Sequence, residues 1–568
     1  MSSYFLRLAL ASISLAIITT FGTGLAHAAL PAGFSDAVIA TLPQPSALAF
    51  TQDGRMLIAT QPGRLHVYED GALFPTPALD LGLDNRICAN GERGLLGVAV
   101  DPEFATNRYI YLFYVFNKYG ICPLAKPDSP ENPVRRVSRF TLAPDNIINP
   151  NSETVLIDNM LLPRSHVSGD LHFGKDGYLY VSVGDGLCDY ASDSGCAGLN
   201  DASLDNHMLM GKILRITRDG GIPPTNPFQG ADSARCAQAG RTAECKHCHE
   251  TFAKGLRNPF RMAFDPNASA TRFFINDVGQ STWEEVDLGK AGADYGWNLR
   301  EGPCPLGQSS ADCAAAPAQF TDPIFAYRHM QGCEAITGSA FLPNGYWPDS
   351  YDGAYFYADY DCGKIFTLKK QAGGAYAAET FATALGKQSA VHMAFGPYEA
   401  TQALNYTTYG NGGQVRRITF TGSANRVPTA VADASPRFGN LPLDVAFDAS
   451  HSSDPDGDAL TYEWSFGDGS PPEFDQSVTH TYTAEGTYYA TLTVTDAPGA
   501  QVQTSVRIDA GNNAPSVTVL SPIATTRFRV GQPLKLRASA VDGNGQTLPD
   551  RRSAGPHSCT TTPTRTRI

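Results

Sequence analysis

One phrase recurs six times in this 568-residue chain: an apolar run ending in Phe or Val, a turn typified by Asp-Gly or Asp-Pro, and a second alternating run. The copies begin at Ala47, Leu95, Leu171, Met262, Gly338 and His392. Alternating runs joined by such a turn predict a strand, a tight turn and a second strand. Several copies continue into a Gly-led third strand, at Gly63, Gly211, Gly363 and Gly413. A small sheet repeated about an axis is a propeller blade, so the expectation is an all-β fold with a six-bladed β-propeller over residues 29–421. The segment DAVIATL from Asp36 is expected to close the ring against the last blade. Spacing between copies is irregular, which places large loops between strands, and function is expected on them.

The composition suits this reading. Charged residues are only 17% of the chain, while Gly 54 and Pro 39 supply turns. A net charge of -13 argues against a nucleic-acid partner. Residues 1–28 combine Arg7, an apolar run and a small-x-small site at Ala26-His27-Ala28. This is the pattern of a cleaved export signal, with a retained N-terminal anchor as the rival. No other stretch is long and apolar enough to span a bilayer, so a secreted or periplasmic chain is expected. Twelve cysteines then read as disulfides. Close pairs are Cys188 with Cys196, Cys304 with Cys313, and Cys333 with Cys362. Eleven cysteines precede the tail and Cys559 lies in it, so one propeller thiol is expected to be free or to pair elsewhere.

A second β domain is expected at residues 427–511. It resembles the PKD family of immunoglobulin-like sandwiches through Trp464-Ser465-Phe466-Gly467-Asp468-Gly469, His480-Thr481-Tyr482 and Gly486-Thr487-Tyr488. Trp464 can plug a sandwich core. Asp454, Asp456 and Asp458 share a Gly-containing turn that reads equally as a calcium loop or an ordinary acidic turn. Residues 513–568 begin a third β segment that stays incomplete. From Arg551 the chain loses apolar period, which predicts a disordered or aberrant end.

Three propeller loops carry chemistry. RSHVSGD, from Arg164, offers His166 as a general base near neutral pH, against the plain reading of a structural histidine. Arg257 and Asn258 precede Pro259 and can hold an anion or carbonyl, or form a turn with a salt bridge. The stretch from Ile275 collects Asp277, Glu284, Glu285, Asp287 and a Gly279-Gln280 turn, hard oxygen ligands suited to Ca²⁺ or a solvated acidic loop.

In this order, with GLLGVAVDPEF, GLRNPF, DVGQSTWEEVDL and DYGWN, the three loops resemble the glucose/sorbosone dehydrogenase family of soluble quinoprotein sugar dehydrogenases. Hedgehog-interacting-protein-like chains share that propeller. The resemblance spans about Phe34 to Phe420. It implies that pyrroloquinoline quinone (PQQ) and Ca²⁺ bind at the propeller mouth. It implies that His166 takes the proton of an aldose's anomeric hydroxyl, giving a lactone, and that Arg257 beside Asn258 polarises the quinone. Implied calcium ligands are the Gly279 and Gln280 carbonyls, with Glu284 and the Tyr295 carbonyl at a neighbouring calcium site. Glu92 stands near the implied cofactor, and Asp185 is a weaker match. Implied partners are a small sugar or polysaccharide and an external electron acceptor.

The sequence also departs from the family. Asp361 stands where its glucose enzymes place a lysine, and Ala390 and Val391 where arginines precede the sixth-blade strand; Lys364, Lys387 or His392 would have to compensate. A non-catalytic propeller binding carbohydrate or protein at the same calcium-containing face is the alternative reading. Finally, Cys245-Lys246-His247-Cys248-His249 matches the attachment site of haem c; its alternative is a disulfide of Cys236 with Cys245 or Cys248.

Overall fold

The computed structural model describes residues 28–511, apart from 123–131, 163–164, 190–194, 197–198, 309–312, 314–315, 331, 400, 422–426, 455 and 498, and then 516–521 and 537–541. The export signal (but for Ala28), Arg164 and the tail with Cys559 lie outside the described residues.

Six antiparallel sheets form the propeller. Their innermost strands are Pro45–Phe50, Leu95–Val100, Ser168–Phe173, Pro259–Phe264, Ile336–Phe341 and Ser389–Tyr398. All six repeats fold as the predicted hairpins, because turn and alternation are encoded within a few residues. Each innermost strand packs on the next, and the last packs on the first. The N-terminal strand Phe34–Thr41 pairs antiparallel with Gln414–Phe420 and supplies the outermost strand of the sixth blade. This closure joins chain ends in one sheet and leaves fewer exposed edges.

The innermost strands crowd the axis. A Cβ on Gly97 would lie 2.0 Å from the Gly169 carbonyl oxygen, so only glycine fits there. At one end of the axis a cavity of about 380 Å³ is lined by strand-end residues, including Phe50, Phe173, Phe264, Phe341 and Phe395. The other end is the mouth. Every innermost strand carries a register shift at its first residues there, for example between Pro259 and Arg261 and between Ser389 and Met393. Bulges re-aim side chains, and here all six do so on one face.

Between the two ends Arg261 seals the axis. Its guanidinium donates to the carbonyls of Ser46 (2.7 Å), Leu96 (3.1 Å) and Val391 (3.2 Å) and to Asp170 (3.3 Å), joining blades 1, 2, 3 and 6.

Residues 433–510 form the immunoglobulin-like sandwich, a three-stranded and a four-stranded sheet. Trp464 is fully buried against Phe447, and the Tyr482 hydroxyl donates to the Phe466 carbonyl at 3.0 Å. Asp454 accepts the amides of Asp456 (2.7 Å) and Asp458 (3.0 Å), closing its own turn. The third β segment is a two-stranded ladder, Ser516–Ser521 with Arg537–Val541.

Five disulfides lie among the described residues: Cys88–Cys122, Cys188–Cys196, Cys236–Cys248, Cys304–Cys313 and Cys333–Cys362. Cys245 is disulfide-bonded as well. These bonds fit an extracellular or periplasmic compartment. Among the described residues no helix is long and apolar enough to cross a membrane.

Candidate functional site

The mouth holds a cavity of about 500 Å³, built from the bulged starts of the innermost strands and from the loops joining second to third strands. Its wall divides in two. Blades 2 to 4 contribute Glu92, Ser168, Asn258 and Val278; blades 5, 6 and 1 contribute Tyr360, Gln388, Tyr409, Gln44 and Gln61, with Arg261 as floor.

His166 stands at the entry to blade 3 with φ +53°, a backbone conformation that a non-glycine side chain rarely adopts. Three contacts hold it there. Its amide donates to Glu92 Oε2 at 2.8 Å, and its carbonyl accepts from the buried Arg135 at 3.1 Å. Its Nδ1 lies 2.6 Å from Asp185 Oδ1. Glu92 also accepts from the Ser165 hydroxyl, so both its oxygens brace the His166 loop while its side chain lines the cavity. Gly184 permits this packing, since a Cβ there would lie 2.0 Å from the His166 carbonyl oxygen.

Asp185 is the hub. Its Oδ2 accepts from Trp297 Nε1 at 2.8 Å, and Oδ1 also accepts the Leu187 amide at 2.8 Å. Burial alone would push the Asp185 carboxyl up, but His166 and Arg257 outweigh it and hold it below the usual carboxylate range. With Nδ1 committed, Nε2 of His166 is the nitrogen left to exchange a proton.

Arg257 stands over the same tryptophan, its guanidinium 5.4 Å from the Trp297 ring centroid and donating to the Val278 carbonyl at 2.9 Å. Asn258 accepts from Ser168 Oγ at 2.8 Å. The Arg257 and Asn258 amides both donate to Asp277, at 2.8 and 2.6 Å, which fixes the loop below the mouth. Glu92 and Asn258 line one side of the mouth cavity, and His166 and Arg257, which are not among its lining residues, join them through Glu92 and Asp185.

The acidic stretch is divided by its strand. Trp283–Leu288 alternates faces, so Glu284 points one way and Glu285 with Asp287 the other. Glu284 accepts from His329 (2.7 Å) and the Ile336 amide (2.9 Å), and burial pushes it up to about 7. Its carboxylate is thus engaged away from the other acids. Asp277, Glu285 and Asp287 instead bring carboxylate oxygens within 4.8 Å of one another. Burial, then mutual repulsion, pushes Glu285 and Asp287 well above the usual range. Both Asp287 oxygens are buried without a hydrogen-bond donor among the described residues. The Tyr295 hydroxyl, which donates to the Leu288 carbonyl at 2.6 Å, is pushed up by burial and by the same three acids. The Gly279-Gln280 turn wraps Glu301, whose Oε1 accepts the amides of Gln280, Ser281, Thr282 and Trp283 at 2.7–3.2 Å. Strand alternation in WEEVDL was the signal that pairs Glu285 with Asp287. Trp297 lay within the quoted DYGWN, but nothing in that motif reveals its bond to Asp185.

The departures from the family also have places. Ala390 is fully buried and its carbonyl accepts from Thr337 Oγ1 at 3.2 Å, while Val391 lines the cavity. Asp361, Lys364 and Lys387 are not among the cavity's lining residues. His392 is buried beside Asp170, its Nε2 3.7 Å from that carboxylate. At the haem c motif both sulfurs, Cys245 and Cys248, are in disulfides, so neither is available for a thioether to haem.

The profile of the Glucose / Sorbosone dehydrogenase family matches residues 42–389, and that of the PKD domain residues 425–509. The HIPL2 protein of Arabidopsis thaliana is 30% identical over 337 residues, 50% of this chain and 44% of that protein. Aldose sugar dehydrogenase YliI of Escherichia coli strain K12 is 26% identical over 315 residues, 54% of this chain and 72% of its own. A solved oxidoreductase (glucose dehydrogenase) from Thermus thermophilus superposes with a TM-score of 0.51 at 25% identity, over 68% of this chain and 100% of its own. The chain spans less than half the length of the Arabidopsis relative.

Proposed function

The chain belongs to the glucose/sorbosone dehydrogenase family, and on that premise we propose that it is an exported oxidoreductase that oxidises an aldose to a lactone at the propeller mouth. The observation that carries this reading is the imidazole of His166, locked through Nδ1 by a buried carboxylate that Trp297 holds from behind.

His166 takes the proton of the anomeric hydroxyl at Nε2. Asp185 fixes the tautomer and offsets the positive charge that the imidazole acquires. Glu92 and Arg135 hold the His166 backbone in place. Arg257 and Asn258 place a cation and an amide where negative charge develops. The cavity lies within the roughly 300–1,000 Å³ of small-molecule sites, and Asn258 with the neutral donors of blades 5, 6 and 1 fits a quinone. PQQ, when bound, supplies the hydride acceptor. Asp277, Glu285 and Asp287 fit a calcium ion, since their carboxylate oxygens crowd together and both Asp287 oxygens are buried without a donor among the described residues. Carbonyls of Gly279 and Gln280 would add ligands, and Glu284 with the Tyr295 carbonyl would serve a neighbouring calcium site. An external acceptor would reoxidise the cofactor, and the PKD module would extend contact to a polysaccharide.

A second reading, a propeller that binds carbohydrate or protein here without turnover, is favoured by one observation. Among the described residues no lysine lines the cavity, and its arginine is committed to four acceptors. The deciding experiment supplies PQQ and Ca²⁺ to the expressed chain and follows dye reduction with a panel of aldoses. Turnover that His166→Ala abolishes while quinone absorbance stays with the protein supports the enzyme. No turnover and no retained quinone would leave the binding reading.

A further inference from the structure

PQQ carries three carboxylates, and among the described residues the wall that faces away from His166 has no free cation to meet them. That arc is formed by Gln44 from blade 1, Tyr360 from blade 5, and Gln388 and Tyr409 from blade 6. Gln44 and Gln388 are exposed, and Tyr360 and Tyr409 half-buried. Among the described residues their amides and hydroxyls make no side-chain hydrogen bond, so all four are available to a ligand. The two charged lining residues are spoken for. Glu92 is negative and braces the His166 loop, and Arg261 is buried, giving its donors to three carbonyls and Asp170.

Hydrogen bonds to a carboxylate from neutral donors are roughly half as strong as those from cations, and they carry no long-range attraction for salt to screen. Resting on the quinone reading above, we infer that this chain recognises its quinone's carboxylates through the neutral arc of Gln44, Tyr360, Gln388 and Tyr409 rather than through ion pairs. The quinone is then held weakly and almost independently of salt, and it exchanges with solution as a co-substrate does instead of staying resident. Glu92, the one carboxylate among the described lining residues, weakens it further.

The test is direct binding of PQQ to the purified full chain in Ca²⁺, by calorimetry, at about 0.05 and about 0.5 M salt. The expected dissociation constant is micromolar or weaker and moves less than about twofold between the two salts. Gln388→Arg and Gln44→Lys, both at exposed positions, should each tighten binding about tenfold and make it salt-sensitive. Nanomolar binding by the unmodified chain that weakens steeply with salt would overturn this inference alone and leave the enzyme reading standing. No PQQ binding by the unmodified chain or by Gln388→Arg would overturn the inference together with the quinone reading.

Discussion

Replacing Asp185 with Asn tests the proton relay at its hub. The change keeps the side chain's shape and removes its charge. Asp185 now accepts three hydrogen bonds, from His166 Nδ1 (2.6 Å), Trp297 Nε1 (2.8 Å) and the Leu187 amide (2.8 Å). An amide has one acceptor oxygen, so its NH₂ must face either the indole N–H or the side shared by the imidazole and the Leu187 amide. Indole and the backbone amide can only donate, so either orientation opposes one fixed N–H, and only the imidazole can adapt. Turned toward the imidazole, the NH₂ imposes the tautomer with its proton on Nε2, the atom that has to receive one; turned toward the indole, it breaks the Trp297 bond, and in both cases the charge that offsets an imidazolium is gone. Loss of a positioned base in its working tautomer lowers turnover on the order of a thousandfold, or about 4 kcal/mol in the barrier. The fold loses charge-assisted bonds worth about 1–3 kcal/mol, so the variant should remain folded and melt earlier. The assay is initial-rate dye reduction at saturating aldose and quinone across pH, beside a thermal melt. The acid limb of the pH–rate profile should vanish together with the rate. Retention of more than about a third of the parent rate, with the acid limb intact, would refute the assignment of Asp185 as tautomer-setting partner.

Three further outcomes are expected. Arg261→Met breaks a buried ion pair and frees three carbonyls, costing about 3–5 kcal/mol in denaturant unfolding. The double variant with Asp170→Leu should cost less than the sum of its parts. Ca²⁺ at a hundredfold excess over its dissociation constant should stabilise the chain by about 2.7 kcal/mol, read as a raised melting temperature. Asp287→Asn should shrink that response, and an unchanged response would remove the ion from this cluster. Burial lowers His392 to about 4, so between pH 6.5 and 4 the unfolded chain takes a proton that the folded one refuses. The His392 contribution, present in full above pH 6.5, should be lost by about 3 kcal/mol as pH drops through 4, against the opposite slope of raised carboxyls such as Glu284, so the difference in stability between the parent and His392→Gln should shift by that amount across the window in pH-dependent melts.

Parts of the site were legible and parts were not, for physical reasons. His166 and Arg257-Asn258 announce themselves as loop residues at strand entries, and the structure places them together. Glu92 did not reveal its task, because its acceptors' partners, Ser165 and the His166 amide, lie 73 and 74 residues away. Glu284 and Glu285 are neighbours in sequence and part company only when the strand's pleat sends them to opposite faces. Cys88–Cys122 joins residues 34 apart that no close spacing suggested, whereas Cys188–Cys196 sits across a two-residue ladder.

The sequence by itself determined the blades. A hairpin's turn, alternation and facing are written within about fifteen residues, and six such statements plus one strand at the start suffice for a closed ring. It also determined the sandwich, through Trp464 and the turns around it. The tertiary structure alone decided the mouth. Its lining takes two to four residues from each of six blades, its floor is an arginine bonded to a carbonyl 215 residues away, and six bulges set the direction of its side chains. Such a surface exists only once the ring is closed, because its charge balance belongs to no single segment of the chain.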